Sequence, residues 1–154
     1  MTRDEPAVER FVESMARVFG DWGFPRMAAR VLMTLMTADE PTLTAADLSE
    51  RLDASPAAVS GAVRYLTQIR VVDREPVRGS RRDHYKITDG GWYTVSLLKG
   101  DLFGGIAGVA DEGVQALGGA GTPSGDRVVE MRDFFRFVQA ETAAMMDRWQ
   151  ESRR

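Results

Sequence analysis

The stretch LTAADLSERLDASPAAVSGAVRYLTQIRVVDREPVRGSRRDHYKI, residues 43–87, decides the fold. Thr44-Ala45-Ala46-Asp47 offers a hydroxyl N-cap with an acid in the first turn, and so opens a short helix that buries Leu48 and Leu52. Leu43, just before it, reads as a β segment of one or two residues. Ser55 caps a second helix, residues 56–69, whose first position is Pro56; proline is tolerated there because that N–H has no helical partner anyway. Val59, Val63, Leu66 and Ile69, spaced four, three and three, form its inward face. Ala57, Ser60, Gly61, Arg64 and Gln68 fall on the opposite face. Two helices joined by a short turn, the second with a small, polar and cationic outer face, make a helix-turn-helix.

A hairpin follows. Residues 71–77 read as one strand and 84–87 as its return, with Arg78-Gly79-Ser80-Arg81-Arg82 at the tip, where the glycine permits the turn. The plain alternative is a solvated, arginine-rich loop. Cap, helix, strand and basic tip in this order favour a wing over residues 72–87. The fold expected is therefore mainly α with a small β wing: a winged helix-turn-helix at 26–89, flanked by long helical segments at 1–25 and 90–154.

Charge agrees with that reading. The chain of 154 residues has a net charge of −3, but the charge is unevenly spread. Residues 1–53 carry a net −4 and 54–63 no charge. Residues 64–86 carry a net +4, 87–125 a net −3, and 126–154 balance to zero. One basic island on an acidic body is the pattern of a localised electrostatic footprint for nucleic acid.

An α-helix fits the major groove, and its outward side chains meet base edges. Arg64 is the cation of the presumed reading face, suited to a guanine or a phosphate. Thr44, Ser55, Ser60 and Gln68 suit phosphate or water-mediated contacts, and Ala57 and Gly61 allow close approach, as to a thymine methyl. Arg78, Arg81 and Arg82, with Ser80 at the turn, would sit in or beside a narrow minor groove. For any single arginine, a solvated surface role is the competing reading.

The flanks look built for packing. Val8, Phe11/Val12, Met15, Val18/Phe19 and Trp22 make a helical stripe that ends at Gly20, Gly23 and Pro25; Val31, Leu32, Leu35 and Met36 form the core face of the next helix. Near the C-terminus Val128, Met131, Phe135, Val138, Thr142, Met145 and Trp149 alternate three and four apart, a heptad seam widened by Phe134, Phe137 and Met146. With the first helix and a helix at 92–117, this seam predicts a homodimer whose two readers face a near-palindromic operator. Between them, residues 100–125 hold nine glycines. They fit close helix packing, a cavity wall, or a soft connector that changes half-site spacing.

Enzyme chemistry has little to work with. There is no cysteine, His84 is the only histidine and lies in a predicted strand, and no glycine-rich phosphate loop follows a strand. Asp39-Glu40 and Asp111-Glu112 read as solvated surface. No enzyme, cofactor or metal site is expected. No window approaches the roughly 20 apolar residues of a membrane span, and the absence of cysteine suits the cytoplasm.

Leu52-x-x-Ser55-x-x-x-Val59-Ser60, Arg64-x-Leu66, Val71-Val72-x-Arg74 and the Arg81-Arg82 wing together resemble the MarR superfamily of winged-helix regulators. Gly23-Phe24-Pro25-Arg26 and Gly79-x-Arg81-Arg82-x-x-Tyr85 look more like its GbsR-type branch. The wing tip departs from the family's Asp-Arg-Arg: here it reads Ser80-Arg81-Arg82-Asp83, with no acid before the arginine pair. The resemblance implies a dimeric, sequence-specific DNA-binding repressor. It also implies a small aromatic or lipophilic effector held between the dimer helices and the reader, where Phe19, Trp22, Trp92 and Phe103 line a pocket or simply fill the core. A winged-helix module that binds a protein or RNA partner is the alternative class, kept open by the nearly neutral helix face.

Overall fold

The computed structural model describes residues 3–154, and for 91–101 the backbone helix alone. The elements are α1 (Glu5–Asp21), α2 (Arg26–Thr37), β1 (Leu43–Thr44), α3 (Ala45–Leu52), α4 (Pro56–Gln68), β2 (Val72–Pro76), β3 (Asp83–Ile87), α5 (Gly91–Ala116) and α6 (Pro123–Glu151). They form two compact units, 1–91 and 92–154. Because α1 packs along α2, residues 1–25 belong to the same unit as the winged helix.

In the first unit, α2 is the hub, packed against α1, α3, α4 and β3. Its sequence explains this: beyond the expected Val31, Leu32 and Leu35, it also buries Ala28, Ala29, Met33 and Thr34, so that most of its circumference is core. The Thr34 hydroxyl is not orphaned there, since it donates to the Arg30 carbonyl at 2.9 Å. Arg30 fastens three helices. Its Nε donates to Glu13 on α1 at 2.6 Å, and its guanidinium also donates to the carbonyl of Leu52 at the end of α3, at 3.1 Å. Aromatic edges continue the tie to α4, with Phe19 5.8 Å from Phe24 and Phe24 5.4 Å from Tyr65.

The α1 stripe divides in two, contrary to its reading as one face. Val12, Ala16 and Phe19 are buried, whereas Phe11, Val18 and Trp22 are exposed. A stripe too wide for one neighbour leaves its far edge outside.

The sheet is antiparallel in the order β1-β3-β2. β2 meets β3 from Val72↔Ile87 to Pro76↔Asp83, and β1 adds Leu43↔Tyr85 and Thr44↔His84. The first strand is shorter than the expected 71–77. The Val71 N–H turns back to the Leu66 carbonyl at 3.1 Å, and the Val77 carbonyl accepts from Ser80 N–H at 3.0 Å. Val77 is thus taken up by the tip turn, while Val71 keeps one cross-strand bond, its carbonyl accepting from Thr88 N–H at 3.0 Å.

In the second unit, α5 and α6 form an antiparallel helical hairpin. Phe103 stacks on Phe135 at 5.8 Å, and Asp111 accepts from Arg132 at 3.2 Å and from Arg136. Asp111 is thus a helix-to-helix anchor, not the solvated surface residue expected. Gly104 faces the amide end of the Gln139 side chain across the hairpin. The glycines of the 100–116 stretch are all helical; the chain breaks only beyond, where Gly118, Gly119 and Gly121 take positive φ. Along α6, Met131, Phe134, Phe137, Met145 and Trp149 are exposed, with Phe137 63% accessible.

Candidate nucleic-acid interface

The reader is set by its caps. The Thr44 hydroxyl accepts from Asp47 N–H at 3.1 Å while the Asp47 carboxylate accepts from Thr44 N–H at 2.8 Å, a reciprocal capping box. The backbone N–H of Thr44, and then its hydroxyl, hold the Asp47 carboxyl below the ordinary aspartate range. Asp53, in the left-handed region with φ 46°, closes α3, and Ser55 opens α4 by accepting from Ala58 N–H at 3.2 Å. The turn between the helices is therefore fixed by backbone at its first end, where Ala54 N–H reaches the Ser49 carbonyl at 3.1 Å, and by the Ser55 hydroxyl at its second. The hydroxyls of Thr44 and Ser55 serve as caps, and Thr44 is buried.

The helical phase of α4 separates two faces. Val59, Ala62, Val63 and Leu66 are buried, whereas Ala57, Ser60, Gly61, Arg64 and Gln68 are exposed. Ile69 is half-buried and lies one residue past the helix, as its C-cap. Arg70, at φ 61°, completes the stop. Its left-handed backbone lets Val71 N–H reach the Leu66 carbonyl, as glycine more often does.

The wing tip is a four-residue turn, Val77 to Ser80, with Gly79 at φ 87° in the third position, as a type II turn requires. Beyond it the Ser80 hydroxyl accepts from Arg82 N–H at 3.2 Å. Arg78, Arg81 and Arg82 are exposed, and among the described residues neither they, nor Arg64, nor Arg70 enters a salt bridge. The remaining cations of the basic island are internal to the sheet. Arg74 meets Asp83 at 3.5 Å, and Lys86 meets Glu75 at 3.0 Å, a hydrogen bond that raises the lysine above its usual range. The structure thus sorts the island into five arginines outside any ion pair and two cross-strand braces. Charge counting did not make that distinction.

The four aromatic residues expected at an effector pocket have different surroundings. Phe19 is buried, edge-on to Trp22 at 6.0 Å, and Trp22 is 64% exposed. Phe103 stacks within the α5–α6 hairpin. The side chain of Trp92 lies outside the described residues. A cavity of about 470 Å³ between α1, α2 and α3 is lined instead by Val8, Val12, Arg30, Thr34 and Leu52 among others. Among the described residues no group of acids or histidine suited to a metal occurs, and no helix is long and apolar enough to cross a membrane.

A helix-turn-helix closed by a three-stranded antiparallel wing defines a winged-helix protein. Comparison with known proteins narrows the kind. A family model described as MarR family matches residues 22–83, and one described as MmpR5-like MarR family transcriptional regulator matches residues 90–152. The HTH-type transcriptional regulator MmpR5 of Mycobacterium tuberculosis (strain ATCC 25618 / H37Rv) is 26% identical over 147 residues, covering 96% of this chain and 89% of the relative. A crystal structure described as a transcriptional regulator superposes with a TM-score of 0.81 at 26% identity, covering 95% of this chain and 99% of the other. Over both of its units the chain is thus similar to winged-helix transcriptional regulators of the MarR family. Members of that family are regulators, not enzymes.

Proposed function

We propose that the chain is a dimeric, sequence-specific repressor of the cytoplasm that holds duplex DNA with α4 in the major groove and the Arg78–Arg82 wing at the minor groove. The observation that carries this reading is the coincidence of two exposures: the small, polar face of α4 with Arg64 at its centre, and three exposed wing-tip arginines that enter no ion pair among the described residues. In this reading Ala57 and Gly61 approach bases, Arg64 contacts a guanine or phosphate, and Ser60 and Gln68 contact phosphates. Thr44 and Ser55, whose hydroxyls are used as caps, contribute through the helix N-termini that they shape. The exposed apolar residues of α6 supply a dimer surface, with residues 1–25 and 90–154 as the dimerisation region. The operator is then near-palindromic, with half-sites about one helical turn apart.

A small lipophilic or aromatic effector is the ligand that this reading supplies. Gly23-Phe24-Pro25-Arg26 and the Gly79-x-Arg81-Arg82-x-x-Tyr85 wing support kinship with the GbsR-type branch, while the match over 90–152 is to an MmpR5-like model. Selection by the full chain from random-sequence pools of duplex DNA and of RNA, offered together, tests the proposal. Enrichment of a near-palindrome is expected; recovery of no duplex, or of RNA in preference to duplex, overturns it.

A further inference from the structure

We propose that His84 is a wing-positioning residue, the middle of a Thr42–His84–Ser80 brace that fixes the arginine-bearing tip before DNA arrives. The inference rests on the wing reading above. His84 stands at the centre of the sheet, in β3, paired with Thr44 on one side and Glu75 on the other. Its two ring nitrogens face in opposite directions and both are engaged. Nδ1 is 3.0 Å from the hydroxyl of Thr42, just before β1, and Nε2 is 3.0 Å from the hydroxyl of Ser80, at the tip.

The Ser80 oxygen also accepts from Arg82 N–H at 3.2 Å. One hydroxyl therefore shapes the backbone between the two tip arginines and is itself tied, through the imidazole, to the edge strand. Both hydroxyls can turn to donate or accept, so the brace closes with either neutral tautomer and with the imidazolium.

Among the described residues the arginine side chains of the tip are held by no carboxylate. Their approach to a groove is thus set by backbone alone, and ordering that backbone in advance lowers the entropy lost on binding.

The test uses the full chain, the duplex that the wild type enriches from a random pool, and thermal midpoints for every variant. His84→Ala and Ser80→Ala should each weaken binding roughly two- to tenfold, the range of one net hydrogen bond. The double variant should be no weaker than the weaker single one. His84→Gln, whose amide reaches as far as Nε2, should recover binding, while His84→Asn should not. Wild-type affinity in His84→Ala, or losses that multiply in the double variant, would overturn the brace with DNA binding intact. A wild type that enriches no duplex would overturn the wing reading itself.

A second readout needs no DNA. His84 gives the only imidazole signals, so Ser80→Ala should shift its Nε2 resonance and Thr42→Val its Nδ1 resonance. Unmoved resonances would overturn the brace independently.

Discussion

Thr44 and Asp47 each satisfy the other's backbone N–H, at 2.8 and 3.1 Å, and this exchange starts the helix-turn-helix. Asp47→Ala should cost about 1 kcal/mol at neutral pH, the usual net worth of one hydrogen bond, here the one from the Thr44 N–H to the N3 carboxylate. The folded-state pKa of Asp47 is lowered, so its stabilisation is complete above the unfolded value near 3.8 and is lost as pH falls through the lower folded value. Chemical denaturation of both proteins should therefore show a gap at pH 7 that closes in strong acid. A gap independent of pH would rule out the carboxylate as its source.

Gly61 is helical, and a Cβ built on it meets nothing within 4 Å. Packing does not ask for glycine there. Gly61→Ala should stabilise the chain by about 0.5–1 kcal/mol, the helix-propensity difference, and weaken binding to the enriched duplex. Melting and fluorescence anisotropy measure the two effects on one sample. Greater stability with unchanged affinity would remove Gly61 from the reading face.

Arg70 holds a left-handed backbone that costs a residue with a side chain about 1 kcal/mol. Arg70→Gly should raise stability by about 0.5 kcal/mol once the extra entropy of unfolded glycine is set against it. Arg70→Ala, which keeps the strain, should not. Urea unfolding of the three proteins distinguishes these outcomes.

Phe134 and Phe137 are 58% and 63% accessible on α6, within a run of exposed apolar residues. Phe137→Glu should convert a dimer into monomer in sedimentation equilibrium at micromolar concentration, because a charge buried without a partner is costly. A wild type that is itself monomeric would contradict the proposed dimer.

Residues 43–87 were legible because each element there carries its own local signal. Thr44 and Ser55 cap, Pro56 starts, Gly79 turns, and the spacing of Val59, Val63 and Leu66 fixes the buried face. Features set by distant partners were not legible in the same way. Whether Phe11 or Val12 is buried depends on how much of α1 the second helix covers. Asp111 resembled any surface acid until α6 brought Arg132 beside it. Arg74 and Lys86 counted as free charge until the register set them near Asp83 and Glu75. His84 looked idle for the same reason, since Thr42 and Ser80 reach it only through pairing across β1 and the tip.

The central claim is that α4 and the wing tip hold duplex DNA through Arg64, Arg81 and Arg82. A salt titration of affinity for the enriched duplex, comparing the wild type with Arg81→Ala/Arg82→Ala and with Arg64→Ala, tests it most directly. The double variant should reduce the slope of log affinity against log salt by about 2, one unit for each phosphate no longer neutralised. Arg64→Ala should cost about 1–3 kcal/mol and relax the preference at one base position. Parallel slopes in all three proteins, with unchanged sequence preference, would contradict the account.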